Sequence, residues 1–216
     1  MRSLGIDIGA SRKGFDAVLL DDALVPLRTA RRLGAADVGA LIDTARPDVV
    51  AIDSPPAWGL RGGSRATERE LRARGIHAFA TPSDLRKAES RFYDWMRCGF
   101  EAFAVAAARG YARYRSGRVR GTAIEIFPHA SAVVLAGRLP PAGARKRPFR
   151  EDVLRAAGVD TRGLRSIDQI DACLAALTGL LALRGTRCAP GDPAEGVIVL
   201  PATSFPAPPF HRPRSG

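Results

Sequence analysis

Apolar positions along this chain fall into two rhythms. Near the amino terminus they come as short blocks broken by turn residues. SLGIDIG (3–9) and FDAVLL (15–20) read as strands on either side of the turn ASRKG, and ALVPLRTA (23–30) as a third whose Pro26 suits a sheet edge. Such short connections predict three consecutive antiparallel strands. The period then lengthens. GAADVGALIDTA (34–45) places Val38, Leu41, Ile42 and Ala45 at helical spacing, and PDVVAID (47–53) is an unbroken apolar strand of the kind buried on both faces. A long, mostly helical stretch follows, with Phe92, Trp95, Met96, Gly99, Phe100 and Phe103 along one side of SRFYDWMRCGFEAFAVAAARG; it is too long for a simple crossover and predicts a helical insertion at about 59–120. GTAIEIF (121–127) reads as a fifth strand, and PHASAVVLAG (128–137) and PFREDVLRAAG (148–158) as helices, the first with Pro128 in its first turn and Gly137 after its end. SIDQIDACLAALTGLLALRG (166–185) is the strongest helix, capped by Ser166; EGVIVLP (195–201) reads as a late strand. Residues 202–216 are proline-rich and predict a loose tail, leaving 1–201 as a single α/β domain.

Composition narrows the class. With 46% hydrophobic residues in 216, the chain has material for a sizeable core. The longest apolar run, 172–183, is well short of the ~20 residues that cross a bilayer, so no membrane role is expected. Cys98, Cys173 and Cys188 are odd in number, widely spaced and without nearby histidines, which fits reduced thiols and a cytoplasmic protein rather than a zinc site or disulfide framework. The net charge is +11, and all but three of the 33 basic residues are arginine, which suits a phosphate-bearing partner. Codon bias toward Arg, Ala and Gly gives the same composition.

One position does not fit its pattern. Asp7 interrupts the first apolar strand, where a lone buried carboxylate is costly. Asp53 closes strand four, Glu125 lies in strand five, and Asp168 and Asp171 share a face at the start of the last long helix. Ligands of open α/β sheets bind beyond the carboxyl ends of the strands, and parallel strands one, four and five would bring their acids there. Converging carboxylates repel one another unless a cation joins them, and an oxygen-only donor set points to Mg2+ or Mn2+. Such clusters support phosphodiester hydrolysis.

The segments GIDIGASRKGFDAVLL, AIDSPPAWG, DWMRCGFEAF, IEIFPHASAVVLAG, SIDQIDACLAALTGLLAL and EGVIVLP carry a resemblance. The sequence is similar to the family labelled domain of unknown function 429, whose members are predicted nucleases of the RNase H fold. The resemblance implies an RNase H-like mixed sheet, three antiparallel strands followed by parallel ones in the order 3-2-1-4-5, flanked by helices. It implies metal ligation by Asp7, Asp53, Asp171 and Asp168, the last two because DQIDA is similar to the D-x-x-D-A that ends Holliday-junction resolvases. Resolvases normally carry glutamate where this chain has Asp53. Glu125 matches the family's own E-x-F-P-H-A pattern, which makes it a candidate catalytic residue beside Asp7, Asp53 and Asp171.

Candidate substrate contacts are Lys13 in the first turn, His129, Arg113 within RGYARYRSGRVRG (109–121) and Arg147 within RKRPFR (145–150), the two basic stretches suited to a nucleic-acid backbone. Each has a structural alternative: Asp53 as a turn cap, Asp168 as an ordinary first-turn acid, His129 as a packed side chain, the arginines as a solvated surface. The expectation is a metal-dependent nuclease, with a non-catalytic nucleic-acid- or ligand-binding protein on the same scaffold as the alternative. Actin-like sugar kinases also carry an aspartate before a glycine turn, but need two such domains; a small-molecule phosphohydrolase stays open, as does the oligomeric state, a homodimer included.

Overall fold

The structure, a computed structural model, describes residues 1–84, 86, 89–207 and 209–213. Its strands are β1 (Arg2–Ile8), β2 (Phe15–Asp21), β3 (Pro26–Leu33), β4 (Val49–Asp53), β5 (Ala112–Arg113) and β6 (Thr122–Glu125). They form one sheet in the order β3-β2-β1-β4-β6-β5. β1 to β3 pair antiparallel, and β1, β4, β6 and β5 run parallel. This is the mixed RNase H-like order expected from the sequence, with β6 in the place of the fifth strand and Pro26 opening the edge strand β3. The two-residue β5 is an addition: it lies inside the stretch read as a helical insertion and pairs with Thr122 and Ala123 of β6.

The late strand expected at 195–201 is not a regular strand. Ile198 bridges Glu125 and Leu200 bridges Cys188, each as an isolated pair. The cause is a shortage of partners: β5 already occupies the start of the β6 edge, and the Ile198 amide donates to the Thr67 hydroxyl at 3.3 Å. The carboxyl-terminal segment is not loose where it is described. Arg74 Nε donates to the Pro206 carbonyl at 2.7 Å, its guanidinium lies 4.8 Å from the Phe205 ring centroid, and the Phe210 amide donates to the Arg74 carbonyl. Pro208 and residues 214–216 of that segment, like 85, 87 and 88 of the insertion, lie outside the described residues.

The described helices are α1 (Ala35–Ala45), α2 (Ala66–Ala73), α3 (Asp94–Ala107), α4 (Pro128–Ala136), α5 (Lys146–Ala156) and α6 (Ile167–Leu183). Leu4, Ile6 and Ile8 of β1 and Val50 and Ile52 of β4 face α1 and α3, packing with Val38, Ile42, Ala102 and Phe103. α6 covers the opposite face, with α4 and α5 against its outer side, which is why its sequence is apolar all round and buried from Gln169 to Leu180. Among the described residues no helix is long and apolar enough to cross a membrane. The three cysteines are free thiols.

Three glycines set how closely the helices approach the sheet. A Cβ on Gly5 would lie 1.9 Å from the Ala172 carbonyl oxygen and 2.4 Å from the Ala176 nitrogen, so α6 rests its main chain directly on β1. Gly179 admits Ser3 in the same contact, and Gly99 admits Ser54, bringing α3 against the end of β4. Gly5→Ala should therefore force α6 off β1 and lower the melting temperature by about 2–12 °C, the range that overpacking of about 1–3 kcal/mol gives in a chain of this size. Thermal denaturation followed by circular dichroism reads the shift, and an unchanged midpoint would contradict the contact.

Candidate functional site

β1 and β4 deliver their acids together. In the parallel register Asp7 stands beside Asp53, both at the carboxyl ends of their strands and in phase with Gly5 and Ala51, toward α6. Set side by side, the two carboxyl groups interact directly. Asp171, in the second turn of α6, joins them electrostatically. Burial pushes the Asp7 carboxyl well above the ordinary range, and the charges of Asp53, Asp171 and Asp168 add to it, with Lys13 opposing. Asp53 is likewise raised well above its ordinary value by burial and Asp171, against Arg150. Burial also raises Asp171, opposed by Arg150, whose Nη1 donates to Asp171 Oδ2. The other oxygen, Asp171 Oδ1, is buried with no hydrogen-bond partner.

Glu125 lines the same cleft and its charge adds to the raising of Asp53, but its side chain is tied elsewhere. β6 pairs Ile52 with Glu125, so the acid falls in phase with Ala123 and Ile52 and out of phase with Asp53. Its side chain meets Arg65 instead, at the N-cap position of α2, in a bidentate pair of 2.6 and 2.8 Å. Arg65 is 1% exposed and also pairs with Glu68 at 2.8 Å, while Glu68 accepts from the Thr81 amide and hydroxyl and from Ser64. Burial raises the Glu125 carboxyl and Arg65 works against it; for Glu68 the same opposition, with Thr81 added, ends below the ordinary value. Glu125 thus stands as one of two carboxylates sharing a single buried arginine rather than as an open carboxylate.

The remaining expected residues divide. Lys13 lines the same cleft as Asp7, Asp53 and Asp171, and its Nζ lies 2.7 Å from Asp168 Oδ1. Burial acts against the Lys13 charge, but the Asp168 bond and the fields of Asp7 and Asp16 leave its pKa raised. Asp168 is therefore held by a lysine and does not line the cleft. Arg113 and Arg147 are outside it too. Arg113 sits on the edge strand β5 and donates to the Glu195 carbonyl at 2.8 Å; Arg147 donates to the carbonyls of Arg165 and Leu164. Helical geometry explains the second placement: Lys146 and Arg150, four apart on α5, share the face toward the cleft, and Arg147 is rotated away. His129 is half-buried against Phe127, with ring centroids 5.8 Å apart, and lies outside the lining; burial, followed by the charges of Arg150 and Lys146, pushes its pKa down to about 4, leaving it neutral at pH 7.

The cleft has a volume of about 390 Å³. Besides the aspartates it is lined by Arg65, Glu68, Lys146, Arg150, Phe79 and Trp95, none of which stood out singly in the sequence. Of Arg65's ion pairs only the one with Glu68 is intrahelical, at i,i+3. Its longer-range partner lies 60 residues away. The four-residue spacing of Lys146 and Arg150 was the one local signal that could have separated them from Arg147. Asp16 was also passed over: it stands across β1–β2 from Asp7, accepting from the Ser166 hydroxyl and the Arg32 amide. Among the described residues no group of three or more His, Cys, Asp or Glu side chains is arranged to hold a metal ion.

Fold and site together define an α/β protein with an RNase H-like mixed sheet and a cleft lined by aspartates at the carboxyl ends of β1 and β4 and on α6. The chain belongs to the family described as "Protein of unknown function (DUF429)", whose model matches residues 5–195. No curated protein matches it. Among solved structures it is similar to that of RuvC from Thermus thermophilus, at 17% sequence identity, covering 86% of this chain and 98% of that chain with a TM-score of 0.40.

Proposed function

We propose that this protein is a metal-dependent nuclease hydrolysing phosphodiester bonds of nucleic acid, with Asp7, Asp53 and Asp171 as the residues that would hold Mg2+ or Mn2+. The observation that carries the reading is the Asp7–Asp53 pair, set side by side at paired positions of adjacent parallel strands, in one cleft with Asp171, whose Oδ1 is buried without a partner. An all-oxygen set with raised affinity for positive charge fits a hard divalent cation. Such a cation, when bound, supplies activation of the attacking water and stabilisation of the leaving oxygen. Lys13, Lys146 and Arg150 line the same cleft and would orient the phosphate. Arg65 and Glu125 act as positioning residues, fixing the floor of the cleft between β6 and α2. The working unit is residues 1–201, with 59–120 as the insertion that supplies one wall.

A second reading, a binding protein that does not cleave, is favoured by one feature: Asp171 is already paired with Arg150 and Glu125 with Arg65, so their charges are balanced within the chain. Incubating the protein with branched, single-stranded and hybrid substrates in Mn2+ or Mg2+ separates the two. Cleavage by the wild type should fall in Asp53→Asn by more than the roughly 10–100-fold that even outer contacts of metal sites are worth. Equal cleavage by the variant would remove the assignment, and binding with steep salt dependence but no turnover would favour the second reading.

A further inference from the structure

One wall of the cleft is aromatic and open. Phe79, in the segment after α2, is 64% exposed, and Phe92, in the turn before α3, is 53% exposed. Their ring centroids lie 5.6 Å apart, and Trp95, in the first turn of α3, lies 6.4 Å from Phe79. Edge-to-face contacts continue the row from Phe92 to Tyr93 at 4.9 Å, from Tyr93 to Trp58 at 6.3 Å and from Trp58 to Phe100 at 4.6 Å. These six rings stand outside the three apolar cores of the protein. A row of part-buried rings that braces two exposed ones, Phe79 and Phe92, holds an apolar surface open for contact, and a patch of this kind rimmed by charge marks a binding site.

What it contacts follows from its neighbours. Phe79 and Trp95 line the same cleft as Lys13, Lys146 and Arg150. Lys146 is exposed and forms no ion pair among the described residues, so its charge is available to a ligand. An aromatic face beside a free cation is complementary to a flat ring carried on a phosphate. We propose that Phe79 and Trp95 stack an unpaired nucleobase while Lys146 holds an adjacent phosphate, so that the substrate is a single strand rather than a continuous duplex. A base within a duplex presents no free face, whereas every unpaired base does. The proposal rests on the nucleic-acid reading above and specifies its substrate.

The test is binding without turnover, in EDTA and again with Ca2+, read by anisotropy of a labelled oligonucleotide and by tryptophan emission. Trp58→Phe leaves Trp95 as the single tryptophan. A single strand should bind more tightly than a blunt duplex of equal length and quench Trp95; an abasic strand of equal charge should bind more weakly and not quench. Phe79→Ala, a change at an exposed ring, should weaken the single strand about 5–150-fold and leave the abasic strand unchanged. Lys146→Ala should lower the slope of log affinity against log salt by about 0.7 for both strands. Equal affinity for single strand, duplex and abasic strand would overturn the proposal, as would an indifferent Phe79→Ala, no binding at all, or binding of a mononucleotide but not of a strand. Base-dependent quenching without cleavage would overturn the nuclease reading and uphold this one; cleavage of duplex and single strand alike, unaffected by Phe79→Ala, would do the reverse.

Discussion

Arg65→Met should cost about 3–5 kcal/mol of stability, the loss expected when one partner of a buried ion pair is removed and the other is left uncompensated. The substitution keeps most of the apolar stem but strands two carboxylates, Glu125 and Glu68, that Arg65 contacts from an almost fully buried position. For a chain of this size the melting temperature should fall by roughly 6–20 °C. Glu68 in the native protein lies below its ordinary pKa and contributes stability above its unfolded value, lost as pH falls through the native one. Without Arg65 that sign reverses: burial raises both acids, and the variant becomes less stable as pH rises above about 4.3. Urea denaturation at pH 5 and pH 8 should therefore show the deficit growing with pH. A deficit under about 1 kcal/mol would place Arg65 among the surface ion pairs instead.

Asp7→Asn should stabilise the metal-free protein and disable it. Native Asp7 and Asp53 both titrate well above their ordinary range, so the folded chain retains protons that the unfolded chain has released. Stability that is fully present below the unfolded value, about pH 4, is lost as pH rises through the raised native ones. Asparagine has the same shape, can donate to Asp53 and carries no charge. In EDTA at pH 8 the variant should be more stable than wild type by about 1–3 kcal/mol, the usual cost of a poorly satisfied buried polar group. The gap should close near pH 4. Saturating Mn2+ should stabilise the wild type but not the variant and so offset the gap, since a ligand at 100 times its Kd stabilises the native state by about 2.7 kcal/mol and only the wild type keeps the proposed donor set. Thermal shifts with and without Mn2+ measure both effects, and a destabilised variant in EDTA would contradict the raised pKa of the pair.

The residues that were legible in the sequence are those whose roles are local. Ser166 caps α6 with its hydroxyl accepting from the Gln169 amide, Pro26 opens an edge strand, and Asp7 and Asp53 end adjacent strands side by side. Glu125 was legible as a strand residue but not as a partner of Arg65. Its phase against β4 depends on a register that pairs it with Ile52, and a shift by one residue would have turned it toward Asp53. Arg113 and Arg147 lie outside the cleft for a related reason: composition marks a basic stretch but does not say which side chain turns inward. The aromatic wall was visible as a stripe on α3, yet its outward half depends on Phe79, which belongs to a segment with no periodicity of its own.

The contact through Gly5 bears on how the protein could be altered. Because β1 and α6 meet main chain to main chain at that point, the spacing between Asp7 on one and Asp171 on the other is fixed by backbone dimensions and not by the bulk of intervening side chains. Core residues elsewhere could then be exchanged widely, for cold tolerance or heat resistance, with the two carboxylates keeping their separation. The ruler between these two carboxylates is a missing methyl group.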